Sequence, residues 1–575
     1  MSLRAQTGKD TLLTREVMLE KEYNPTIRDA SRINTLPEIV EPTVPKTRVN
    51  YANYALPFDV QPQLSILKAN EWFASVKESG KRGYAVAGIA TNLNFNGDLG
   101  YQILLEENTK LNIFYTHRSA NDRVSYLQED AKQRMKLNDN LAGLDFSHAF
   151  EPFTLSARLK YTDFRYNYYG YDGRESPFTP TSLPPSDKTT NQRDNLLNID
   201  LGAISSEGQA INYRINLNIG HFQQKHALLS SPKKPRETFI HTDLDANTTY
   251  GDMLLGLGAY FNVVSCSNTR FQEPMTGNNY FVGYDSYGQL SLNPYTGYDG
   301  DSWKAHIGAK SHFYINHGKK VFSLAPDIAL SVLPFPDSEI YLTVNGGITT
   351  NTKQSLFETN RYLSPFFRPE DSRDLLDALI GWKNSIAGSY RLDLYAGYRI
   401  TKDEHFFVPA YYSLPPYDNA GIYFANNAIA AEIMDANLFK AGMKATYQYQ
   451  DRMEAGLKIQ YNNWDIKNAA NRKAWNRPVV EADLNAACTF NIPLRLDLVY
   501  HLETGRKTPE DNRTAGFHAQ KMKDIHALTL SANYTFNDTF SVFAQGNNLL
   551  FQKYDLRYGY PAQSAHLMCG GSIKF

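Results

Sequence analysis

Apolar and polar side chains alternate with a period of two over most of the chain after residue 81. In the segment 211–219 every odd position is apolar and every even position is Asn or Arg. Successive side chains of a β-strand point to opposite faces of the sheet, so this pattern predicts strands with one apolar and one polar face. The same alternation recurs in the segments 155–162, 454–461 and 526–536.

The connections between these predicted strands are alternately very short and long. The short ones carry turn residues, at 151–152, 206–208, 251–252, 450–451, 492–493 and 537–538. The long ones are rich in Gly, Pro, Asn and Tyr, near 171–189, 267–300, 351–375, 405–420, 465–477, 506–522 and 548–562. Short periplasmic turns at one end and long extracellular loops at the other are typical of outer-membrane β-barrels.

Three features favour a barrel in lipid over a soluble sheet, whose solvated face would also alternate. The predicted strands reach the roughly 9–11 residues that cross a bilayer at a tilt. Their apolar faces end in aromatics, as interfacial girdles require, at Tyr161, Tyr461, Tyr534 and Phe536. Their polar faces carry charged side chains in mid-strand, which a water-filled lumen can accommodate. These are Arg158, Lys160, Arg214, Arg391, Asp393, Lys444 and Lys458.

We therefore predict an all-β fold, a transmembrane antiparallel β-barrel of about 22 strands with short periplasmic turns and long extracellular loops. We place it in the outer membrane of a Gram-negative bacterium, with outer-membrane lipids as partners. The composition agrees, because aromatics make up 13% of the chain although the mean hydropathy is only −0.47. No run of about 18 apolar residues exists that would predict a transmembrane helix. The 59 basic and 60 acidic side chains give no reason to expect a nucleic-acid partner.

The first 80 residues differ from the rest of the chain. They contain scattered prolines and little alternation, so we predict an extended periplasmic or lumenal segment at 1–80 and the barrel at 81–575. The extreme N-terminus, Met1–Gln6, is not an apolar signal sequence, and for an exported barrel we expect a processing site near Ala5 and Gln6.

The last residues of the chain form an alternating strand that ends on an aromatic. Leu567, Cys569, Ile573 and Phe575 share one face, and this arrangement is similar to the C-terminal insertion signal of outer-membrane barrels. Gly571 takes the same-face position between Cys569 and Ile573, where a larger apolar residue is usual.

A family resemblance lies in the same region. The segments 543–550, 553–554, 559–561 and 570–575 together resemble the last hairpin of TonB-dependent receptors. Such receptors carry a folded plug of well over a hundred residues before the barrel. Here only about 80 residues precede the first predicted strand. The resemblance therefore implies a plug-less relative, such as an accessory barrel of the β-barrel assembly machinery. The segment Glu38–Val44 faintly resembles a TonB-contacting box.

The sequence predicts no enzyme, no cofactor and no metal site. It contains no nucleophile elbow, phosphate-binding loop, zinc-protease motif or calcium loop. His306 and His312 share a predicted strand face but lie about 20 Å apart along it, too far to share a metal. Cys266, Cys488 and Cys569 are isolated and indicate neither zinc nor a disulfide framework.

Two functions are open on this basis. In the first, the chain is a structural subunit of an outer-membrane complex for barrel or surface-lipoprotein assembly, with other outer-membrane proteins or lipoproteins as partners. In the second, it is a transporter or pore for a hydrophilic solute. A predicted aromatic loop would bind the partner proteins in the first case and the solute in the second. Its aromatic residues are Tyr280, Tyr284, Tyr287, Tyr295 and Tyr298.

Overall fold

The computed structural model describes most of the chain from Gly80 onward: residues 80–171, 191–224, 234–267, 271–272, 279–280, 286–316, 319–364, 367–386, 389–409, 428–450, 452–467, 472–509 and 518–575. Residues 1–79 lie outside this part. They include nearly all of the predicted N-terminal segment and the sequence Glu38–Val44.

Twenty-two antiparallel strands form one closed sheet, which confirms the predicted fold and strand number. In chain order they are β1 Gly83–Ala90, β2 Phe95–Leu105, β3 Thr109–Ser125, β4 Lys132–Ala149, β5 Phe153–Asn167, β6 Asn191–Ser205, β7 Asn212–Gln224, β8 Arg236–Tyr250, β9 Met253–Ser267, β10 Tyr287–Asp299, β11 Trp303–Asn316, β12 Lys319–Phe335, β13 Ser338–Thr349, β14 Ser372–Ile386, β15 Tyr390–Pro409, β16 Ile429–Tyr449, β17 Met453–Ile466, β18 Val480–Thr489, β19 Leu494–Thr504, β20 Ile525–Thr535, β21 Phe540–Asn547 and β22 His566–Lys574.

The barrel closes where the last strand pairs with the first. β22 pairs with β1 from Lys574 opposite Tyr84 to Met568 opposite Ala90. The carbonyl oxygen of Phe575 accepts hydrogen bonds from the backbone N–H groups of Arg82 and Gly83, at 2.8 and 2.7 Å. Closure removes the unpaired sheet edge that an open sheet would present.

The two faces of the strands are divided as the alternation predicts. Leu159 and Tyr161 of β5 face outward and are each 43% exposed. Arg158 faces the lumen, where it forms an ion pair with Asp145 of β4. The outer wall is therefore an apolar belt of the kind that lipid covers, and the inner wall is polar.

The two rims of the barrel differ as predicted. At one rim the ten connections are two to six residues long, as at Gly251–Asp252 between β8 and β9. At the other rim eight connections exceed ten residues, at 168–190, 225–235, 268–286, 350–371, 410–428, 467–479, 505–524 and 548–565. We call these the short-turn rim and the long-loop rim.

The predicted loop 267–300 is shorter than expected, and the predicted loop 405–420 is displaced to 410–428. β10 occupies 287–299, which had the Gly and Pro content of a loop, and β15 extends to Pro409. Pro294 is tolerated in β10 because that residue, which lacks an N–H group, is paired with β9 but not with β11. Besides the strands there is one short helix among the described residues, α1 Lys353–Thr359. No described helix has the length and apolarity needed to cross a membrane.

Candidate functional site

The connection 350–371 between β13 and β14, at the long-loop rim, carries α1 and folds into the barrel. We call it the lumen-crossing segment. Thr352 caps the helix, since its side-chain oxygen accepts a hydrogen bond from the Ser355 N–H at 2.9 Å and the Ser355 hydroxyl takes a bond from the Thr352 N–H in return. Asn360 ends the helix in an extended conformation. The local sequence therefore stops α1 after two turns.

The apolar face of α1 packs on lumenal aromatic side chains of other strands. Phe357, which is buried, has its ring centroid 5.1 Å from that of Phe164 and 5.8 Å from that of Tyr166, both on β5. Phe222 of β7 completes the contact at 5.3 Å. Leu356 is buried in the same cluster. Aromatic pairs at these distances add about 0.5–1.5 kcal/mol each beyond the area they bury.

Two lumenal carboxylates of other strands hold the segment. Glu237 of β8 accepts hydrogen bonds from the backbone N–H groups of Lys353 and Gln354, at 2.8 and 3.0 Å, and so pairs two N–H groups of the first turn of α1 that have no acceptor within the helix. Asp139 of β4 forms a two-pronged ion pair with Arg361, with Nη1–Oδ1 and Nη2–Oδ2 distances of 3.1 and 2.8 Å. Both charged side chains of this pair are largely buried. The two parallel hydrogen bonds therefore also fix the position of the segment relative to β4.

These contacts carry the segment across the lumen. It leaves the wall between β13 and β14 and reaches β4, which is ten strands away in a ring of 22 and so nearly opposite. After Arg361 it pairs with β16, since the Ser364 N–H donates to the carbonyl oxygen of Ile429 at 2.6 Å. The segment is therefore a built-in obstruction at the long-loop rim.

A cluster of buried tyrosines ties the segment to two other loops. The rings of Tyr362 and Tyr560 stack at 4.3 Å, and Tyr169 meets both edge-on at 5.4 and 5.0 Å. Tyr168 donates its hydroxyl to the carbonyl oxygen of Leu363 at 2.9 Å. The connections after β5 and β21 therefore pack on the same obstruction.

A tight turn presents Tyr560 to this cluster. The preceding residue, Gly559, has φ +79°, in the left-handed region that favours glycine, and a Cβ there would lie 3.0 Å from that of Tyr171. The Gly559 N–H donates to Asp555 at 2.8 Å. Burial raises the pKa of Asp555 to about 6, although hydrogen bonds from Gln128 and Gly559 oppose the shift.

Lys353 is a buried cation at the centre of the segment. Its ammonium group donates to the carbonyl oxygens of Ser364 and Phe367 at 3.1 and 2.6 Å, which links the start of the segment to its later part. Burial lowers the pKa of Lys353 to about 7, against the attraction of Glu237 and Asp194. The charged form is therefore only marginally stable when the segment is docked.

The docking of the segment should consequently depend on pH. An undocked Lys353 regains a pKa near the ordinary value of 10.5, so docking releases a proton between about pH 7 and 10.5 and becomes more favourable as pH rises through that window. Below pH 7 the charge is the same in both states and this contribution is constant. Lys353→Met should remove the dependence. The measurement is the rate of thiol labelling at the lumenal Cys266, taken as the ratio of wild type to variant so that the reagent's own pH dependence cancels. A ratio that stays flat between pH 7 and 9 would contradict the assignment.

The predicted C-terminal residues lie where the alternation placed them. Leu567 and Phe575 face outward and are 49% and 56% exposed, and Cys569 is exposed on the same face. The Phe575 ring stacks on Tyr101 of β2, with centroids 6.1 Å apart. The ring lies over Gly83, where a Cβ would come within 2.5 Å of it. A role as an insertion signal stays a prediction for the C-terminal residues Leu567, Cys569, Ile573 and Phe575.

The five tyrosines of the predicted aromatic loop do not share one surface. Tyr287, Tyr295 and Tyr298 lie on β10, so their assignment to a loop is wrong. Tyr287 is buried in the aromatic core and donates to the carbonyl oxygen of Asn351 at 3.2 Å. Tyr295 faces the lumen and donates to Asp245, whereas Tyr298 faces outward and stacks on Trp303 at the short-turn rim. Tyr280 lies in the two-residue strand Asn279–Tyr280, and Tyr284 is outside the described residues.

The three cysteines divide between the two faces. Cys266 pairs with the lumenal Glu237 and packs against the core beneath the lumen-crossing segment. Cys488 is paired with Leu496 and Cys569 with Ile89, both of which are exposed on the outer face. None of these three described cysteines forms a disulfide. Cys266 is thus the lumenal thiol of the three. Among the described residues no group of three or more His, Cys, Asp and Glu is arranged to hold a metal ion.

The sequence reasoning missed the residues that hold the obstruction. No sequence motif includes Glu237, Asp139 or Arg361. A Tyr-rich run after β5 contains Tyr168 and Tyr169, but it indicated no function. Tyr560 was noted, but for its part in the resemblance and not for its contacts. One signal was available in 351–375, because Leu356 and Phe357 are apolar residues in a segment otherwise typical of an exposed loop.

Comparison with solved structures finds chains of similar fold that are named as metal transporters and import receptors. The FrpB iron transporter from Neisseria meningitidis (F3-3 variant) is 13% identical with a TM-score of 0.64, over 87% of this chain and 82% of that one. The copper transporter OprC is 10% identical with a TM-score of 0.61, over 86% and 80%. The ferric-catecholate import receptor Fiu from K12 E. coli is 9% identical with a TM-score of 0.63, over 87% and 82%.

At these identities the likeness establishes the fold alone. No protein-family model matches the chain. No curated protein matches it by sequence.

Proposed function

We propose that this chain is an outer-membrane transporter for a hydrophilic solute, with the lumen as the path and the lumen-crossing segment as its barrier. The segment carries the proposal, because a buried ion pair and a capped helix are held across the mouth of a polar barrel. The similar structures support it, since their names describe transporters and import receptors. Localisation in a Gram-negative outer membrane and the absence of enzymatic activity belong to the same proposal.

The chemistry of the lumen favours a hydrophilic solute of no single charge. Lumenal charges of both signs are paired, as between Lys440 and Asp377 at 2.9 Å and between Lys310 and Asp327 at 3.3 Å. A wall of one sign would select for the opposite ion, whereas a mixed wall mainly offers hydrogen bonds. We therefore expect sugars or small peptides to pass more readily than apolar molecules.

Solute flux through the full chain tests the proposal. Reconstituted wild type should show low uptake of neutral oligosaccharides in liposome swelling, and Asp139→Asn, which loosens the segment, should show clearly faster uptake. The matched control is Asp145→Asn, which removes a lumenal carboxylate that does not contact the segment. Equal fluxes for all three proteins would count against a lumenal path.

The structural-subunit role stays a prediction that no finding supports. Purification in mild detergent separates it from transport. Stoichiometric co-purification with a large barrel and lipoproteins, together with unchanged flux in Asp139→Asn, would favour it over our proposal. A lone barrel that passes solute would exclude it.

A further inference from the structure

The outer wall of β3–β8 is strongly basic towards the long-loop rim. Alternation assigns its side chains to the outside. On β3 Arg123 is exposed while its neighbours Asp122 and Val124 are buried, and on β8 Arg236 is exposed beside the buried Glu237. Seven basic residues take outward positions on these strands, and we call them the basic wall: Arg123, Lys132, Arg134, Lys136, Arg165, Arg193 and Arg236.

Acidic residues are nearly excluded from the same face. On the outward positions of β3–β8 the single carboxylate is Asp163, so the face carries a formal charge of +6 (seven basic minus one acidic). The whole chain, by contrast, has a formal net charge of −1. The remaining carboxylates of these strands face the lumen, at Asp122, Asp139, Asp145, Asp194, Asp200, Glu237, Asp243 and Asp245. This excess of positive charge on the outer face points to an anionic partner there.

The basic wall begins just above the apolar belt. Arg165 lies four residues beyond the outward Tyr161 on β5, and Arg193 lies four residues beyond the outward Leu197 on β6. Four residues of strand span about 13 Å, and less along the membrane normal in a tilted strand. These guanidinium groups are therefore at the height of lipid headgroups rather than of acyl chains.

Like charges are paired across the strands of this wall. Arg123 lies directly opposite Arg134, and Arg165 directly opposite Arg193. Directly opposed like charges destabilise a sheet. The two pairs lie four residues apart along β4, since Asn138 is opposite Arg165. With Asp163 counted beside the second pair, the two sites keep formal charges of +2 and +1, which an external anion would neutralise.

Asp163 orients one of these pairs. It is 5% exposed and accepts hydrogen bonds from the Nε atoms of Arg165 and Arg193, at 2.8 and 2.6 Å. The terminal Nη groups of both arginines have no hydrogen-bond partner among the residues that the structure describes. Planar guanidinium forks held in this way match the oxygens of a phosphate.

We propose that the basic wall binds the headgroup phosphates of an anionic glycolipid of the outer leaflet, that is, lipopolysaccharide. The inference rests on the proposed outer-membrane placement, with the long-loop rim outside. The adjoining apolar belt favours a lipid over a soluble anion, because the acyl chains of the same molecule cover Tyr161 and Leu197 while its phosphates meet the cationic groups of the basic wall above them. The bound lipid would form an ordered collar on one side of the barrel.

Lipid binding to the purified full chain in a neutral detergent tests this. Native mass spectrometry with diphosphoryl lipid A should show at least one retained lipid on wild type. The variant R123Q/R134Q/K136Q leaves the Asp163 contacts intact and should weaken binding by roughly tenfold or more. The matched control, R158Q/K444Q/K458Q, removes three basic charges from the lumen and should bind as wild type does.

Three outcomes would overturn the proposal. These are unchanged binding in the outer-wall variant, equal retention of lipid A from which the phosphates have been removed, and binding of inorganic phosphate that displaces the lipid. The last result would assign the site to a soluble anion. Solute flux is measured separately, so a failure of lipid binding leaves the transport proposal intact, and a failure of transport leaves this site intact provided that the barrel is in the outer membrane.

Discussion

Asp139→Asn is expected to raise the rate at which a membrane-impermeant thiol reagent labels Cys266 by roughly 100-fold. The substitution leaves the buried Arg361 guanidinium without its counter-charge. Removing one partner of a buried ion pair costs about 3–5 kcal/mol, and about 3 kcal/mol at one docking contact corresponds to roughly a hundredfold larger open population. The segment would then leave the lumen more often and expose the thiol beneath it.

Asp145→Asn supplies the control. Asp145 is also lumenal and ion-paired, but its partner Arg158 is half exposed, and the contacts described above for the segment do not include Asp145. Such exposed pairs contribute about 0–1 kcal/mol, so labelling should change by less than roughly fivefold. If Asp139→Asn also left the rate unchanged, the segment would not be what shields Cys266. Cys488 and Cys569 face outward and report reagent access to the outer wall in the same experiment.

Gly570→Ala is expected to abolish closure of the barrel. A Cβ at this position would lie 2.2 Å from the carbonyl oxygen of Ala87 on β1 and 2.4 Å from the Phe543 ring. Backbone cannot give way as a flexible side chain can, and overpacking of this kind costs about 1–3 kcal/mol or more. The cost falls on the pairing of β22 with β1, so the heat-modifiable folded band should be lost from unboiled gel samples.

The neighbouring glycine is a matched control on the opposite face. At Gly571 an added Cβ would meet only the Ser541 carbonyl oxygen at 3.4 Å and Val542 at 4.0 Å, which are ordinary contacts. It would point into a shallow outward groove lined by Ala85, Leu99, Ile573 and others. Gly571→Ala should therefore fold normally. Equal folding of the two variants would show that the pairing of β22 with β1 tolerates a larger side chain on the lumenal face.

The sequence was most informative where local physics decides the outcome. Alternation predicted which side of β5, β7, β17 and β20 faces lipid, because a slip of one residue would bury every charge in hydrocarbon. It failed over 287–299, where Pro294 and Gly297 indicated a loop although the strand persists. There the pairing of β10 with β9 outweighs the local preference, since ladder contacts on a closed sheet stabilise residues that are poor strand formers alone.

The candidate site was less accessible to such reasoning. Arg361 and Asp139 are separated by 222 residues, and nothing in either local sequence indicates the other. The same holds for Tyr169 and Tyr560, which meet only after the barrel has closed. A buried polar contact between distant strands and loops depends on the register of every strand between them.

The alternating sequence by itself determined the barrel, the division of its wall into a polar and an apolar face, and the difference between its two rims, because each of these follows from side-chain direction within single strands and from turn chemistry. Only the tertiary structure decided that the connection after β13 enters the lumen, and that basic residues from β3 to β8 meet on one outer patch. Both depend on which strands are neighbours and how far each extends, and closure of the ring fixes those relations for all 22 strands together.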